Sequence, residues 1–466
     1  MSRTDTEPTT PEPTTPEPIT APTPPEAPTD RLPTSTDPFQ DVPVHAGLFA
    51  SLWLRNYRIY FFGALLSNIG LWMFRVAQDW LVLTVLTDHS SLALGTITGL
   101  QFLPILLLSA YTGAVADRFD KRRLMMVTQT LLGAVALVQA VLVVSGSVQL
   151  WHVYVLATLS GIATAFDSPA RQAFVSEMVP DSHLVNAVGL NSTSFNASRL
   201  LGPGIAGLTI GAWGVGPAIL FNALSYAATV IALASMDPAQ LRQAPRTRGR
   251  GSVRAGLAYV ARRPDILLVL FMVFMLGTFG LNFQVTNALM ATQVFHVGPE
   301  AFGLMGTVMA VGTLTGALVA ANRKRPRMPV LVLALAGFAV GMVGLAFAPS
   351  YVVYIVLLAF VGVCALTMMT SANATVQIST DPQMRGRVMA LYMMVFMGGT
   401  PIGAPLIGWV GEVFGPRATL LVGAMATGLA VLAALAVLLR LRGRRAAAGA
   451  GADDVPDDSR DATMAP

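Results

Sequence analysis

Four ionisable side chains lie inside stretches that are otherwise apolar: Arg75, Asp79, Asp167 and Arg199. An ionised group in such surroundings is costly, and the usual reasons to keep one are proton transfer, ion pairing or ligand binding. Arg75 and Asp79 are four residues apart, so on a helix they share one face. Two roles stand open for them: a proton relay, or a structural ion pair beside an outer gate. Asp167 and Arg199 sit on different apolar runs. A carboxylate that loses a cationic partner in one state of a cycle takes up a proton there. The alternatives for Asp167 are a permanent ion pair with Arg199, or bonding to the arginines of segment 117–123. That segment is a second constellation: after Gly113 come Asp117, Arg118, Lys121, Arg122 and Arg123, where an apolar run ends.

The elements that must position these groups follow from composition. Charged residues are 12% of the 466, against 54% hydrophobic ones and 42 glycines. A soluble domain carries about 25% charged residues, and a soluble chain could not hide this much apolar surface. Instead apolar runs recur at about 20 residues, the length that spans a bilayer as a helix. Twelve are expected: 60–86, 92–116, 124–145, 151–172, 191–212, 216–236, 266–290, 301–321, 329–348, 351–373, 390–411 and 418–440. Basic residues mark alternate loops: Arg118 to Arg123 after the second run, Arg171 after the fourth, seven arginines from Arg242 to Arg263 after the sixth. Arg323 to Arg327, Arg385 with Arg387, and Arg440 to Arg445 continue the pattern, while the opposite loops hold only Arg417. By the positive-inside rule both termini are then cytoplasmic. The formal charge of +5 therefore reads as a topology signal and not as a nucleic-acid footprint.

Depth follows from the rise of a helix. Asp79 falls about 28 Å above the cytoplasmic start of its helix, close to the outer surface. Asp167 falls about 24 Å from the outer end of the fourth helix and Arg199 about 12 Å above the start of the fifth, so the two agree in depth and could pair.

The flanks differ from the runs. Residues 1–54 are rich in Pro and Thr, with no apolar core of a signal peptide near the start, and are expected to be a disordered tail, as are 441–466. Between them the expected units are 55–236, a basic linker 237–265, and 266–440. Those two units repeat. Gly113-Ala-Val-Ala recurs as Gly316-Ala-Leu-Val, Asp181 to Val188 matches Asp381 to Val388, and Gly216-Pro217-Ala218 matches Gly415-Pro416-Arg417-Ala418. Parallel six-helix repeats with a substrate site near the midplane are one of the transporter architectures.

Catalytic and metal chemistry find little support. No Gly-x-x-x-x-Gly-Lys-Ser/Thr phosphate loop occurs, so ATP is not expected to drive the protein directly. Five scattered histidines and Cys364 make no metal motif, and no cofactor is expected. The Asn191-x-Thr193 triplet falls on the cytoplasmic side, where it would not be glycosylated.

The run Gly113-Ala-Val-Ala-Asp117-Arg118-Phe-Asp-Lys121-Arg122-Arg123, placed between the second and third spans, resembles the loop signature of the major facilitator superfamily. The resemblance covers about residues 55–440. Three further segments resemble the drug and siderophore exporters related to the enterobactin exporter: Ala77 to Leu83, Ala165 to Phe174, and Asn191 to Asn196 with Arg199 and Gly202-Pro203. The resemblance implies that Asp117 approaches the start of the eleventh helix and helps close the inner gate, with Arg118 or Arg122 reaching Asp167 or Glu177. Gly202-Pro203-Gly204, Gly207 and Gly211 resemble the superfamily's antiporter motif, implying a close, bendable interface; ordinary tight packing is the alternative. Two departures weaken a transfer of the proton mechanism. Thr158 stands where proton antiporters often carry an arginine, and Ala320 stands in the second half where the first has Asp117.

The cavity is expected to be largely apolar, with Gln101, Asn222, Asn282, Gln284, Asn287 and Asn373 as polar candidates. Met368, Met369, Met393, Met394 and Met397, with Phe279, Phe283 and Trp72, could supply an adaptable lining.

The sequence thus reads as an all-α polytopic membrane protein of twelve transmembrane helices in two six-helix pseudo-repeats. It reads as a secondary transporter, not an enzyme, and is expected to be a monomer with a small molecule, protons and the bilayer as partners. Export of a drug, secondary metabolite or siderophore by proton antiport is the reading the resemblance favours. An uncoupled facilitator or importer, and a receptor or scaffold without flux, are the rivals.

Overall fold

A computed structural model describes Phe39 and residues 47–242, 253–321 and 328–450. Most of the expected N-terminal tail, part of the basic linker, the basic loop 322–327 and residues 451–466 lie outside the described residues. Every regular element among those described is helical.

The first six long helices are α1 (Arg55–Leu86), α2 (Ser91–Arg118), α3 (Lys121–Val144), α4 (Leu150–Met178), α5 (Asp181–Trp213) and α6 (Val215–Ala234). A short linker helix, Val253–Ala261, follows. The second six are α7 (Pro264–Val294), α8 (Pro299–Ala321), α9 (Met328–Ala346), α10 (Tyr351–Ser379), α11 (Arg385–Phe414) and α12 (Pro416–Ala450). These match the twelve expected runs. Ten are long and apolar enough to cross a membrane by composition; α4 and α5 have the length but are diluted by the polar residues that occupy the chemistry below. The backbone of α12 stays helical to Ala450, past the end at 440 expected from sequence.

Polar side chains set the helix starts. Ser90 accepts from Ala93 N at the start of α2, Asp120 from Arg123 N at the start of α3, and Ser350 from Val353 N at the start of α10. Each satisfies an otherwise orphaned N–H.

The repeat is more regular in the backbone than in the residues. Gly214 and Gly415 end α5 and α11 with φ of 81° and 84°, a conformation that costs glycine nothing. The structural partner of Gly415 is therefore Gly214, not Gly216. His89 and His296, also at positive φ, follow matching π-helical turns, Val82–Leu86 and Met290–Val294, at the ends of α1 and α7.

The two halves meet along two seams, α2 with α11 and α5 with α8. At the end of the molecule opposite the basic loops these seams are tight. A Cβ on Gly408 would lie 2.5 Å from Ser91 O, and one on Gly99 would lie 2.8 Å from Pro405 Cγ. On the other seam a Cβ on Gly207 would lie 2.5 Å from Pro299 O, and one on Gly306 2.8 Å from Pro203 Cβ. At the basic end the same helices part: Gly113, Gly189 and Gly386 have open space where a Cβ would be. Among the described residues the halves are closed together at one end and parted at the basic end.

Candidate functional site

Between the halves, against the sealed end, lies a cavity of about 330 Å³. It draws residues from α1, α2, α5, α7, α8 and α11. The first half contributes Trp72, Arg75, Asp79, Phe102, Arg199 and Pro203; the second contributes Asn282, Gln284, Asn287, Phe302 and Phe396, among others.

The second-half wall owes its polarity to a broken helix. Within α7 a π-helical turn, Leu276–Gly280, is followed by non-helical Leu281 and Asn282 before the helix resumes at Phe283. Gly277 and Gly280 weaken the helix there. The Asn282 side chain repairs part of the loss by donating to Thr278 O at 2.7 Å. Irregular backbone at membrane depth is tolerated where it lines a cavity. The break brings Asn282, Gln284 and Asn287 to the lining, and Tyr354 orients Asn287 by donating to its Oδ1 at 2.8 Å. Gly399 marks a milder interruption of α11, with helical dihedrals kept, near Phe396, Met397 and Thr400 of the lining.

The first-half wall carries the charge. The Arg75 guanidinium carbon lies 4.8 Å from the Trp72 ring centroid and 6.0 Å from that of Phe102; the Arg199 carbon lies 5.8 Å from Trp72. Cation–π contact stabilises a guanidinium without neutralising it. Among the described residues no ion pair involves Arg75, Arg199 or Asp79. Asp79 is buried, 5% exposed. It lies toward the end of α1 at Leu86, as depth counting placed it, but it faces the cavity and not the surface, with Trp80 stacked on Phe302 at 5.9 Å beside it.

Asp167 is elsewhere. It sits inside the first half, where its Oδ1 accepts from Thr128 Oγ1 and Gln129 Nε2, each at 2.8 Å, and its Oδ2 pairs with Arg171 Nε at 3.0 Å. The expected pair with Arg199 is not formed; Arg171, one helical turn away, supplies the cation instead. Nor do the basic-loop residues reach Asp167. Lys121 takes Glu177 at 2.6 Å, and Arg122 donates to Leu233 O and Ala234 O at 2.7 and 3.0 Å, capping the end of α6. Asp117 and Arg118 are exposed, and among the described residues Asp117 forms no hydrogen bond or ion pair with α11.

The other expected residues divide. Gly202 packs on Trp72, and Pro203 and Gly207 form the α5–α8 seam. Gln101 is absent from the lining, its backbone packing against Gly161; Phe102 faces the cavity instead. Asn222 is buried between α1 and α6, against Gly70. Asn373 accepts from Gln377 one turn on. Of the methionines singled out, Met397 alone lines the cavity.

Sequence reading missed Glu412. From α11 it accepts from Ser91 N at 2.8 Å, Leu92 N at 3.3 Å, and the hydroxyls of Ser90 and Ser91, capping the start of α2 in the other half. A carboxylate at a helix N-terminus is favoured by the helix dipole. The Ser90-Ser91 pair was its available signal.

The model of a family described as transmembrane secretion effector matches residues 43–465. The staphyloferrin A transporter of Staphylococcus aureus is 25% identical, over 77% of this chain and 90% of its own length. The multidrug efflux pump Tap of Mycolicibacterium fortuitum is 27% identical, over 82% of this chain and 95% of its own. Among solved structures, the nucleoside transporter NupG superposes with a TM-score of 0.66 at 11% identity, covering 82% of this chain and 99% of that one.

Proposed function

Because the chain belongs to the transmembrane secretion effector family of major facilitator transporters, and so is a membrane transporter and not an enzyme, we propose that it exports a small amphipathic molecule by proton antiport. The basic end faces the cytoplasm, in keeping with the positive-inside rule. The structure then corresponds to an inward-open state, sealed outside by the glycine–proline seams and Glu412. Units 55–236 and 266–440 rock about the cavity, joined by 237–265, and one chain closes the site as a monomer.

The observation that carries this reading is the cavity: apolar and aromatic, between the halves, with one carboxylate that has no ion-pair partner among the described residues. Asp79 is the proton acceptor on this reading. It crosses inward protonated and outward ionised with the substrate aboard. Export is also the direction that the name of the multidrug efflux relative favours.

The test is dye transport in inverted vesicles with a proton gradient applied and collapsed, comparing the parent with Asp79→Asn. Gradient-driven uptake that Asp79→Asn abolishes, with dye binding retained, is expected. Flux of a bound dye that never responds to the gradient would favour the facilitator, and binding without flux the receptor.

A further inference from the structure

The cavity wall holds more positive charge than the protein itself neutralises. Its lining includes three charged residues, Arg75, Arg199 and Asp79, so two positive charges face one negative. Neither guanidinium donates a hydrogen bond or joins an ion pair among the described residues, and the two charges repel one another. Both rest against one indole, that of Trp72, whose own Nε1 is buried without an acceptor. Unpaired arginines in a membrane interior are expensive to maintain. Five N–H groups in a planar fork match a carboxylate in two-point geometry better than any other side chain can.

On the reading of this cavity as the transport site, we propose that the substrate is an anionic aromatic amphiphile whose carboxylate sits between Arg75 and Arg199 over Trp72. Its apolar body lies against Phe102, Phe302 and Phe396. The amides of Asn282, Gln284 and Asn287 on the facing wall adapt to its polar substituents. Asp79 is one helical turn beyond Arg75 toward the sealed end, about 6 Å along the axis. Arg75 turns to the Trp72 ring and, among the described residues, forms no ion pair with Asp79, which leaves the arginine pair free for a guest. The bound anion neutralises the site's excess charge, so the loaded cavity crosses the membrane electrically neutral with Asp79 ionised.

The test uses the purified full-length protein and three probes that share one aromatic body: 1-pyrenebutyrate, 1-pyrenemethanol and 1-pyrenemethylammonium. Binding is read by fluorescence. Pyrenebutyrate is expected to bind tightest. Arg75→Gln and Arg199→Gln should each weaken it by about tenfold while moving the neutral probe by less than about twofold, as loss of a charge-assisted hydrogen bond predicts. Arg→Lys at either position keeps the charge without the fork and should give an intermediate loss, which serves if the glutamine variants fold poorly. The proposal is overturned if the cation binds tightest in the parent, or if both arginine variants hold the anion as well as the parent does. Vesicle flux separates this proposal from the reading beneath it. Anion selectivity without gradient-driven flux sinks the antiporter and leaves the anion site. Gradient-driven flux of the cation alone sinks the anion site and leaves the antiporter.

Discussion

Asp79 and Asp167 are both buried carboxylates in the same six-helix half, each 5% exposed, yet their surroundings have nothing in common. Asp167 has a full set of partners: a hydroxyl, an amide and a guanidinium, on two adjacent helices. Asp79 faces a cavity, with its neighbouring arginine stacked on an indole and not turned to meet it. A carboxylate whose partners are all supplied by packed neighbours in one rigid half has no reason to change protonation during a rocking motion. One that lines the space between the halves changes surroundings whenever they move. On the antiport proposal, burial alone does not single out the coupling residue; the supply of partners does.

The sharpest way to break this contrast is to remove each carboxylate. Asp167→Ala leaves the half-buried Arg171 without its anion and Thr128 and Gln129 without their acceptor, and should destabilise the protein by about 2 kcal/mol or more, visible as a lower melting temperature in detergent. If melting is unchanged, the network is not structural. Asp79→Asn should leave melting unchanged and lower gradient-driven flux by about tenfold or more, equivalent to 1.4 kcal/mol. A stability loss as large as that of Asp167→Ala would place both in one class.

A third carboxylate extends the comparison to the gates. Glu412→Gln keeps the shape but weakens the cap on α2, and water replaces part of what is lost. The balance between sealed and open forms of this end should move by about 1 kcal/mol or less, measured by spin-label distances between the start of α2 and the end of α11. No shift would make the cap incidental. The smallest effect belongs to Asp117, which is exposed and has no side-chain bond to α11 among the described residues. Asp117→Asn should change the stability of this state by less than about 0.5 kcal/mol. Any effect should appear in the opposite state, as easier inner opening; a large loss in melting temperature would contradict the exposed placement.

Much of the fold was legible because lipid leaves few options. Backbone groups in a bilayer must bond internally, so apolar runs of spanning length become helices, and arginine spacing orders their loops. The twelve runs follow from that, while the close packing of Pro203 and Gly207 in the seam was implied by the motif they resemble. Partner choice was not legible, because it is a contact between helices. Asp167 and Arg199 agree in depth, yet depth says nothing of azimuth, and Arg171 on the same helix was nearer. Gln101 and Phe102 are adjacent, about 100° apart around the helix, and only packing decides which one meets the cavity. The break in α7 depended on tertiary structure too: its glycines permit it, but only a cavity and the Asn282 bond to Thr278 make unwound backbone tolerable there. Sequence alone determined the class, the span count and the pool of ionisable residues, since these rest on hydropathy and spacing. Which of them face one another, and which arginines are left without an anion, was decided by how the two halves pack.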